Sequence, residues 1–365
     1  MNGKDVYSIL GGDLKNIDKG RMSERIYRYP EDLVDALRLY GGIEVSVNND
    51  DVDKVVIAGM GGSAIGGIFL QDLFFDQLEV PIILVREMSL PRFVDEKSLV
   101  LAVSYSGNTE ETLRVFSSAV KSRAHIISVT SDGIMSEVSG RLGIPTVKLP
   151  GGLQPRASFP YMSVALISIL QKAGLVDEKI LGEIESCARH LREKRDVMFE
   201  CAVRGELRGL VDEIVGGKIP IVYSYRPYIS PGYRFKTQLN ENAKIHAFYG
   251  DFPEVNHNEI MGWDKESAKE FVTVFLRGSE EKDYIKYRIE FLEEFWSQLG
   301  LKSYKIRVEG SSKLCELYEL FFTVDVISVV VALTRGVDPT PVDTISLLKR
   351  YLGKRIDTRA IIKNL

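Results

Sequence analysis

The first half of the chain alternates mainly apolar runs with amphipathic segments. Apolar runs of strand length predict strands at 54–58, 81–86, 99–103, 124–130 and 145–149. Helical spacing of apolar residues predicts helices at 30–40, 64–75 and 109–120. This alternation predicts an α/β fold in which helices cover both faces of a mostly parallel sheet.

The second half of the chain repeats this rhythm. Its pattern predicts strands at 218–224, 271–277 and 304–308, and helices at 161–173, 233–243, 282–299, 314–334 and 342–349. A stretch rich in proline and glycine, 149–160, separates the halves, and the charged segment 177–208 is predicted to be a solvated helical hairpin. The order of elements therefore predicts two doubly wound α/β domains, residues 1–153 and 154–365, without a recognisable sequence repeat.

The composition is that of an ordinary globular protein. The 365 residues are 45% hydrophobic, and the net charge of −4 argues against a nucleic-acid surface. Cys187, Cys201 and Cys315 lie far apart in the sequence, which favours a reducing compartment over a disulfide framework. The N-terminus lacks a signal-peptide pattern, and apolar runs such as 326–333 are too short for a membrane span. We therefore expect a cytoplasmic protein without nucleic-acid or membrane partners.

Two segments rich in glycine and hydroxyl residues follow predicted strands. Residues 59–67 read Gly-Met-Gly-Gly-Ser-Ala-Ile-Gly-Gly, and residues 104–112 read Ser-Tyr-Ser-Gly-Asn-Thr-Glu-Glu-Thr. Neither contains lysine or arginine, so an anion would be bound by backbone N–H groups, hydroxyls and helix N-termini. Together they predict a pocket for a small phosphorylated molecule, formed by Gly61, Gly62, Ser63, Ser104, Ser106 and Thr109.

Each loop taken alone has a simpler explanation. The glycines of 59–67 also fit a tight strand-to-helix turn, and no Gly-Lys-Ser/Thr sequence of a nucleotide-binding P-loop follows. In the second loop, Asn108 and Glu111 fit a capping box at a helix start. A cap does not account for the three hydroxyl residues around it. Because two such loops follow strands of one predicted sheet, the phosphate pocket is the favoured interpretation.

The two loops resemble those of the sugar isomerase (SIS) domain family. Four later segments resemble, in order, motifs of its bifunctional phosphoglucose/phosphomannose isomerases: Gln154–Ala157, Asn240–Asn242, Asn256–Ile260 and Asp338–Val342. The resemblance extends from about residue 50 to about residue 352. It implies two SIS-type domains, the phosphate loops in 1–153 and the remaining catalytic residues in 154–365.

The resemblance also implies a reaction. The family interconverts glucose 6-phosphate, mannose 6-phosphate and fructose 6-phosphate by moving a proton between C1 and C2 through an enediolate. By position in the motifs, Glu241 is the implied base, His257 and Lys349 handle ring opening, and Arg156 stabilises the enediolate. Thr340 is a weaker candidate for the C1–C2 end of the pocket. The family supplies the histidine across a dimer interface, so a homodimer with shared active sites is implied.

Neither a metal nor an organic cofactor is expected. Isomerisation moves a proton and no net electrons, so no nicotinamide is needed. The four histidines are scattered and show no metal-binding spacing.

Three other functions are alternatives, of which the first is disfavoured. An aminosugar synthase of this fold would need an N-terminal cysteine after Met1, and Asn2 stands there. A phosphosugar lyase would use the same phosphate loops. A non-catalytic phosphosugar sensor often carries a DNA-binding segment, for which the first 50 residues are short and insufficiently basic. Binding without turnover would favour the sensor.

Overall fold

The computed structural model describes residues 6–363 and 365, so that Asn2 lies outside the described residues. The chain forms two compact units. Residues 31–185 and 342–365 make up one, called here the five-stranded unit, and 186–341 with the residues up to 30 make up the other, the four-stranded unit. The predicted α/β class with parallel sheets is confirmed.

The described strands are β1 Lys54–Ala58, β2 Ile82–Val85, β3 Ser98–Val103, β4 His125–Thr130, β5 Thr146–Lys148, β6 Ile219–Ser224, β7 Phe248–Asp251, β8 Phe271–Arg277 and β9 Ser303–Arg307. The described helices are α1 Val6–Leu10, α2 Met22–Tyr27, α3 Tyr29–Tyr40, α4 Ile65–Phe74, α5 Glu110–Lys121, α6 Gly133–Leu142, α7 Phe159–Lys172, α8 Lys179–Arg204, α9 Arg208–Val215, α10 Ile229–Glu241, α11 Ser267–Glu270, α12 Asp283–Leu299, α13 Lys313–Thr334, α14 Asp343–Gly353 and α15 Thr358–Ile361. Single 3-10 turns at Gly61–Ser63, Pro155–Ser158, Glu254–Asn256 and Glu259–Gly262 carry candidate residues or their neighbours.

The five-stranded sheet is parallel throughout, in the order β2-β1-β3-β4-β5. All six residues of β3 are buried, as expected of a strand covered on both faces. Helix α4 packs tightly between the sheet and α7. A Cβ atom on Gly66 would lie 2.7 Å from Leu166 Cδ1, and one on Gly67 would lie 2.7 Å from Leu84 Cδ1. The two glycines therefore allow α4 to approach both neighbours.

The four-stranded sheet is also parallel, in the order β7-β6-β8-β9. Its core contains α13, which packs against α10, α2 and α9. Helix α13 is long and apolar enough to cross a membrane, but 94% of its most apolar window is buried in the structure. The predicted helix 314–334 is confirmed, and it accommodates polar residues such as Asp325 and Ser328 because they have buried partners.

The structure differs from the predicted organisation in three places. Segment 177–208 is not a hairpin: it contains α8, a single helix of 26 residues whose buried side chains form one packed face. Strand β7 was not predicted, because its four residues lack an apolar run. The compact units are discontinuous, whereas the sequence analysis divides the chain once, between 153 and 154. The physical reason is that α7 packs on α4, and α2 packs on α13.

A buried ion pair joins α10 to α13 and provides a test of this core. Arg234 donates to Asp325 from Nε at 2.7 Å and from Nη2 at 2.6 Å, and both side chains are 3% exposed. Replacing Asp325 with alanine removes this partner from a buried guanidinium, so we expect the free energy of unfolding to fall by about 3–5 kcal/mol. Urea denaturation measures it.

Asp212 provides the control for that variant. It pairs with Arg208 at 2.7 Å on the solvent-facing side of α9, with side chains 55% and 40% exposed. Asp212→Ala should change the unfolding free energy by less than about 1 kcal/mol, since exposed ion pairs contribute little. Equal effects of the two substitutions would contradict the assignment of Asp325 to the core.

Candidate active site

The two predicted phosphate loops meet at one edge of the five-stranded sheet. After β1 the chain passes through α4 to β2 on one side, and after β3 it passes through α5 to β4 on the other. Because β1 and β3 are neighbours, this reversal leaves a crevice at their carboxyl ends, where ligands bind in open α/β sheets. The loops 59–64 and 104–109 lie on its two sides.

The first loop depends on glycine for close backbone approach. Gly61 has a φ of +50° and begins the 3-10 turn that leads into α4. A Cβ atom on Gly62 would lie 3.2 Å from the backbone nitrogen of Arg156. A side chain at Gly62 would therefore push the Pro155–Ser158 turn away. Ser63, which is 6% exposed, accepts a hydrogen bond at Oγ from the Tyr105 N–H at 3.2 Å and so joins the two loops.

The second loop is held by its own hydroxyls and by a close contact. Ser104 Oγ donates to Thr109 Oγ1 at 2.9 Å. Gly107 has a φ of +65°, and a Cβ atom there would lie 1.8 Å from the carbonyl oxygen of Asp132. Ser104 is buried, whereas Ser106 and Thr109 are partly exposed. The loop thus has one buried and two partly exposed hydroxyl groups beside the N-terminus of α5.

The predicted capping box at Asn108 and Glu111 is wrong. Thr109 is the N-cap residue of α5, and its side chain makes no capping hydrogen bond. Asn108 instead accepts at Oδ1 the N–H of Ile134, 3.0 Å away, and so caps the start of α6. The close approach of Gly107 to the loop before α6 brings this amide to the neighbouring helix.

Arg156 and Lys349 belong to the same unit as the loops. Arg156 is 3% exposed and lies in the turn whose backbone contacts Gly62. The structure therefore brings Arg156 together with the first loop. Lys349 lies on α14, a helix without buried residues, and is exposed.

In the four-stranded unit, the corresponding crevice is filled by a side chain of the unit itself. β6 and β8 are neighbours with the same reversal of chain direction, and the loops after them contain Tyr228 and Ser279. Glu316, fully buried in the first turn of α13, accepts N–H groups from Ser279 at 3.1 Å and from Gly310 at 3.2 Å. It also accepts the hydroxyl of Tyr228.

This carboxylate marks a difference between the two units. The backbone N–H groups of Ser279 and Gly310, which could otherwise bind an anion, are already paired with Glu316. The sequence analysis missed Glu316. The signal was a glutamate among the apolar residues of the predicted helix 314–334, since a buried charge needs hydrogen-bond partners.

Glu241 is the last residue of α10 and is half-buried. The chain just after it is firmly held: Asn242 Nδ2 donates to Ser328 Oγ at 2.9 Å, and Arg335 Nη1 donates to the carbonyl of Ala243 at 2.5 Å. Lys244 donates to the carbonyl oxygens of Glu241 and, at 3.1 Å, of Pro339. Positive charges on the last carbonyls stabilise a helix C-terminus and here fix the position of Glu241.

His257 follows β7 and is exposed. Its N–H donates to the carbonyl of Glu254 at 2.9 Å. Buried Val255 and Glu259, which accepts the hydroxyl of Tyr223, anchor the loop on either side. The anchors hold the backbone and leave the imidazole facing solvent.

Glu241 and His257 lie at opposite edges of the four-stranded sheet. Helix α10 begins four residues after the carboxyl end of β6 and runs back along the sheet for 13 residues, about 20 Å. Glu241, at its far end, therefore lies beside the amino ends of the strands. His257 follows the carboxyl end of β7, which is parallel to β6. The direction of α10 therefore separates the two side chains within one chain.

Thr340 packs within the four-stranded unit. Its N–H donates to Asp338 Oδ1 at 3.0 Å, and a Cβ atom on Gly20 would lie 2.2 Å from its Oγ1. Within residues 6–363 and 365, no group of three or more histidine, cysteine or acidic side chains is arranged to hold a metal ion.

The close approach at Gly62 predicts the effect of one methyl group. In Gly62→Ala the new Cβ must displace the Arg156 turn, so we expect affinity for inorganic phosphate to fall at least about tenfold, a loss of roughly 1.4 kcal/mol. Isothermal titration calorimetry measures the affinity. Gly140→Ala is the matched control, because nothing lies within 4 Å of a Cβ there. Unchanged affinity in Gly62→Ala would remove this loop from the site.

Comparison with known proteins gives concordant results along the chain. Residues 207–352 match the family described as bacterial phospho-glucose isomerase C-terminal SIS domain. The chain is 34% identical over 339 residues to the bifunctional phosphoglucose/phosphomannose isomerase of Caldicellulosiruptor bescii, covering 91% of this chain and 99% of that protein. The protein of the same name from Thermoplasma volcanium is 36% identical over 82% of this chain and 92% of its own length.

Solved structures agree on the fold. The C-terminal domain of glucosamine-fructose-6-phosphate aminotransferase from Francisella tularensis superposes with a TM-score of 0.64 at 15% identity. The match covers 88% of this chain and 97% of that one. At this identity the similarity concerns the fold alone.

Proposed function

Because the chain belongs to the bifunctional phosphoglucose/phosphomannose isomerase family, we propose that it interconverts glucose 6-phosphate, mannose 6-phosphate and fructose 6-phosphate. The observation that carries this proposal is the pair of glycine- and hydroxyl-rich loops joined by Ser63 and Tyr105 at the sheet crevice. Such loops suit the dianionic phosphate shared by all three sugars. The phosphate group is bound by Gly61, Gly62, Ser63, Ser104, Ser106 and Thr109.

Glu241 is the proposed isomerisation base. A carboxylate is ionised at neutral pH and can take a proton from C2 and return it to C1, or the reverse. Its place at a helix end held by Asn242 and Arg335 supports this role, because a base must stand at a fixed distance from both carbons.

Ring opening and charge stabilisation need further groups. Histidine titrates near neutrality, so His257 can move a proton to or from the ring oxygen. Lys349 assists ring opening, and Thr340 lines the C1–C2 end. Arg156 supplies a permanent positive charge for the enediolate, since a guanidinium stays protonated. The proton transfers balance without a metal or an organic cofactor.

The protein is proposed to act as a homodimer with shared active sites. Glu241 and His257 of one chain lie at opposite edges of a sheet, so a complete site combines Glu241 with His257 of the partner subunit. An exposed apolar side chain close to the histidine in sequence supports a covered surface, since Met261 is 86% exposed. Sugar phosphates are charged and do not cross membranes, so we place the enzyme in the cytoplasm, in glycolysis and gluconeogenesis.

The reaction is tested directly with fructose 6-phosphate. The purified protein is incubated with the ketose phosphate and a metal chelator, and both aldose phosphates are assayed. We expect both products. Glucose 6-phosphate alone would restrict the proposal to one C2 epimer. Binding without either product would favour a phosphosugar sensor, and a different product another enzyme of this fold.

The role of Glu241 is tested by its isosteric amide. Glu241→Gln should lower kcat by about 10²–10⁴, with little change in the affinity for phosphate, because only the base is lost. Glu290→Gln is the control, since Glu290 lies on α12 with 49% of its side chain exposed. Near-normal turnover of Glu241→Gln would overturn the assignment.

The shared site predicts complementation between inactive variants. Glu241→Gln and His257→Ala chains, each inactive alone, should regain roughly a quarter of wild-type activity when co-expressed, because half of the random two-fold dimers hold one intact site. The activity of the purified mixture is compared with that of each variant alone. No recovery despite confirmed mixed dimers would mean that both residues act within one chain.

A further inference from the structure

Two of the three cysteines come together in the four-stranded unit. Cys187 on α8 is fully buried and Cys315 on α13 is 1% exposed, and their thiols share a hydrogen bond. The sequence analysis treated the cysteines as distant, since 187 and 315 are separated by much of the chain. Cys201, also on α8, is only half-buried and lies apart from this pair.

The helix register supports the contact independently. One turn beyond the two cysteines, His190 Nε2 lies 2.6 Å from Glu319 Oε2. Another turn along α8, Lys194 Nζ donates to the same carboxylate at 3.0 Å. Residues three and four apart share a helix face, so the face with Cys187 and His190 lies against the face with Cys315 and Glu319.

The surroundings favour the thiolate at one of the two sulfurs. The hydrogen bond with Cys187 lowers the pKa of Cys315 to about 7, with smaller contributions from Ser311 and His190 and with burial opposing. Burial instead raises the pKa of Cys201, and nearby Glu206 adds to the rise. Because the thiolate is the reactive form, we expect Cys315 to be the thiol that is oxidised first.

We propose that Cys187 and Cys315 form a reversible intramolecular disulfide when the protein meets a peroxide. The Cys315 thiolate attacks one peroxide oxygen, which gives a sulfenic acid and, with one proton, releases water. The Cys187 sulfur then attacks the sulfenic sulfur, which forms the S–S bond and releases a second water. Two thiols are oxidised by two electrons and one hydrogen peroxide is reduced to two waters.

The cluster is better suited to this chemistry than to a metal. In the described part of the chain no group of three or more such side chains is placed to hold a metal ion. The carboxylate of Glu319 is instead directed to His190 and Lys194. Both thiols are buried, so we expect the small hydrogen peroxide molecule to react with the pair and a bulky disulfide to be excluded.

The bond would tie α8 to the helix that supports the proposed base. Helix α13 also carries Asp325, which holds Arg234 of α10, and Ser328, which holds Asn242 next to Glu241. A cross-link between α8 and α13 restricts the separation of these helices during unfolding. We therefore expect oxidation to raise the thermal midpoint.

The test counts thiols and maps peptides in the full-length protein. The reduced protein is treated with hydrogen peroxide and unfolded in N-ethylmaleimide, and its peptides are analysed without reduction. We expect two of the three thiols to be lost, a linked peptide joining 187 to 315, a higher thermal midpoint, and recovery of both thiols with dithiothreitol. Glutathione disulfide should leave the pair unmodified.

Cysteine variants separate this outcome from others. Cys201→Ser should still form the bond, whereas Cys187→Ser should stop at oxidised Cys315. The wild-type peptide map decides the matter even if Cys187→Ser fails to fold. Three intact thiols, a linkage through Cys201, a bond between chains, or only over-oxidised cysteines would overturn the proposal. None of these results bears on the isomerase proposal, which is assayed in the reduced protein.

Discussion

The parallel order of the two sheets governs where reactive groups can lie in this protein. In a parallel sheet each helix that connects two strands begins near the carboxyl ends of the strands and ends near their amino ends. In the five-stranded unit this rule collects the beginnings of α4 and α5 at one crevice, together with two loops that carry no charged side chain. In the four-stranded unit the same rule separates Glu241, at the end of α10, from His257, after β7.

The two units have the same kind of crevice between neighbouring strands, but different side chains lie in it. At the β6/β8 crevice, Glu316 reaches the N–H groups of Ser279 and Gly310, so an internal carboxylate satisfies the donors. At the β1/β3 crevice the side chain that joins the loops is the short Ser63, which accepts one N–H. Glu316 supports the proposed phosphate site, because a carboxylate and a phosphate place oxygen atoms on the same kind of donor.

Local patterns in the sequence were sufficient for most of the fold. Strands β1 and β8 begin and end where the apolar runs predict, since a buried parallel strand is a nearly continuous apolar run. Strand β7 was not predicted because Phe248–Asp251 is short and half exposed. Its pairing with β6 decides its conformation. The misassigned cap at Asn108 has a similar cause: the amide turns to α6 only because Gly107 touches the chain there.

The candidate site likewise has one part that the local sequence predicts and another that depends on packing against distant residues. The residue types and their spacing suffice to place the two loops at one crevice, but the relation between Glu241 and His257 depends on the direction of α10. Glu241 is fixed within its own chain by Asn242 and Arg335, whereas His257 projects into solvent from a loop anchored on either side. Under the proposed function, the folding of one chain positions the base, Glu241, and dimerisation brings the acid, His257 of the partner subunit. Dimerisation would then complete the active site, and the exposed histidine of an isolated chain is the expected consequence of that arrangement.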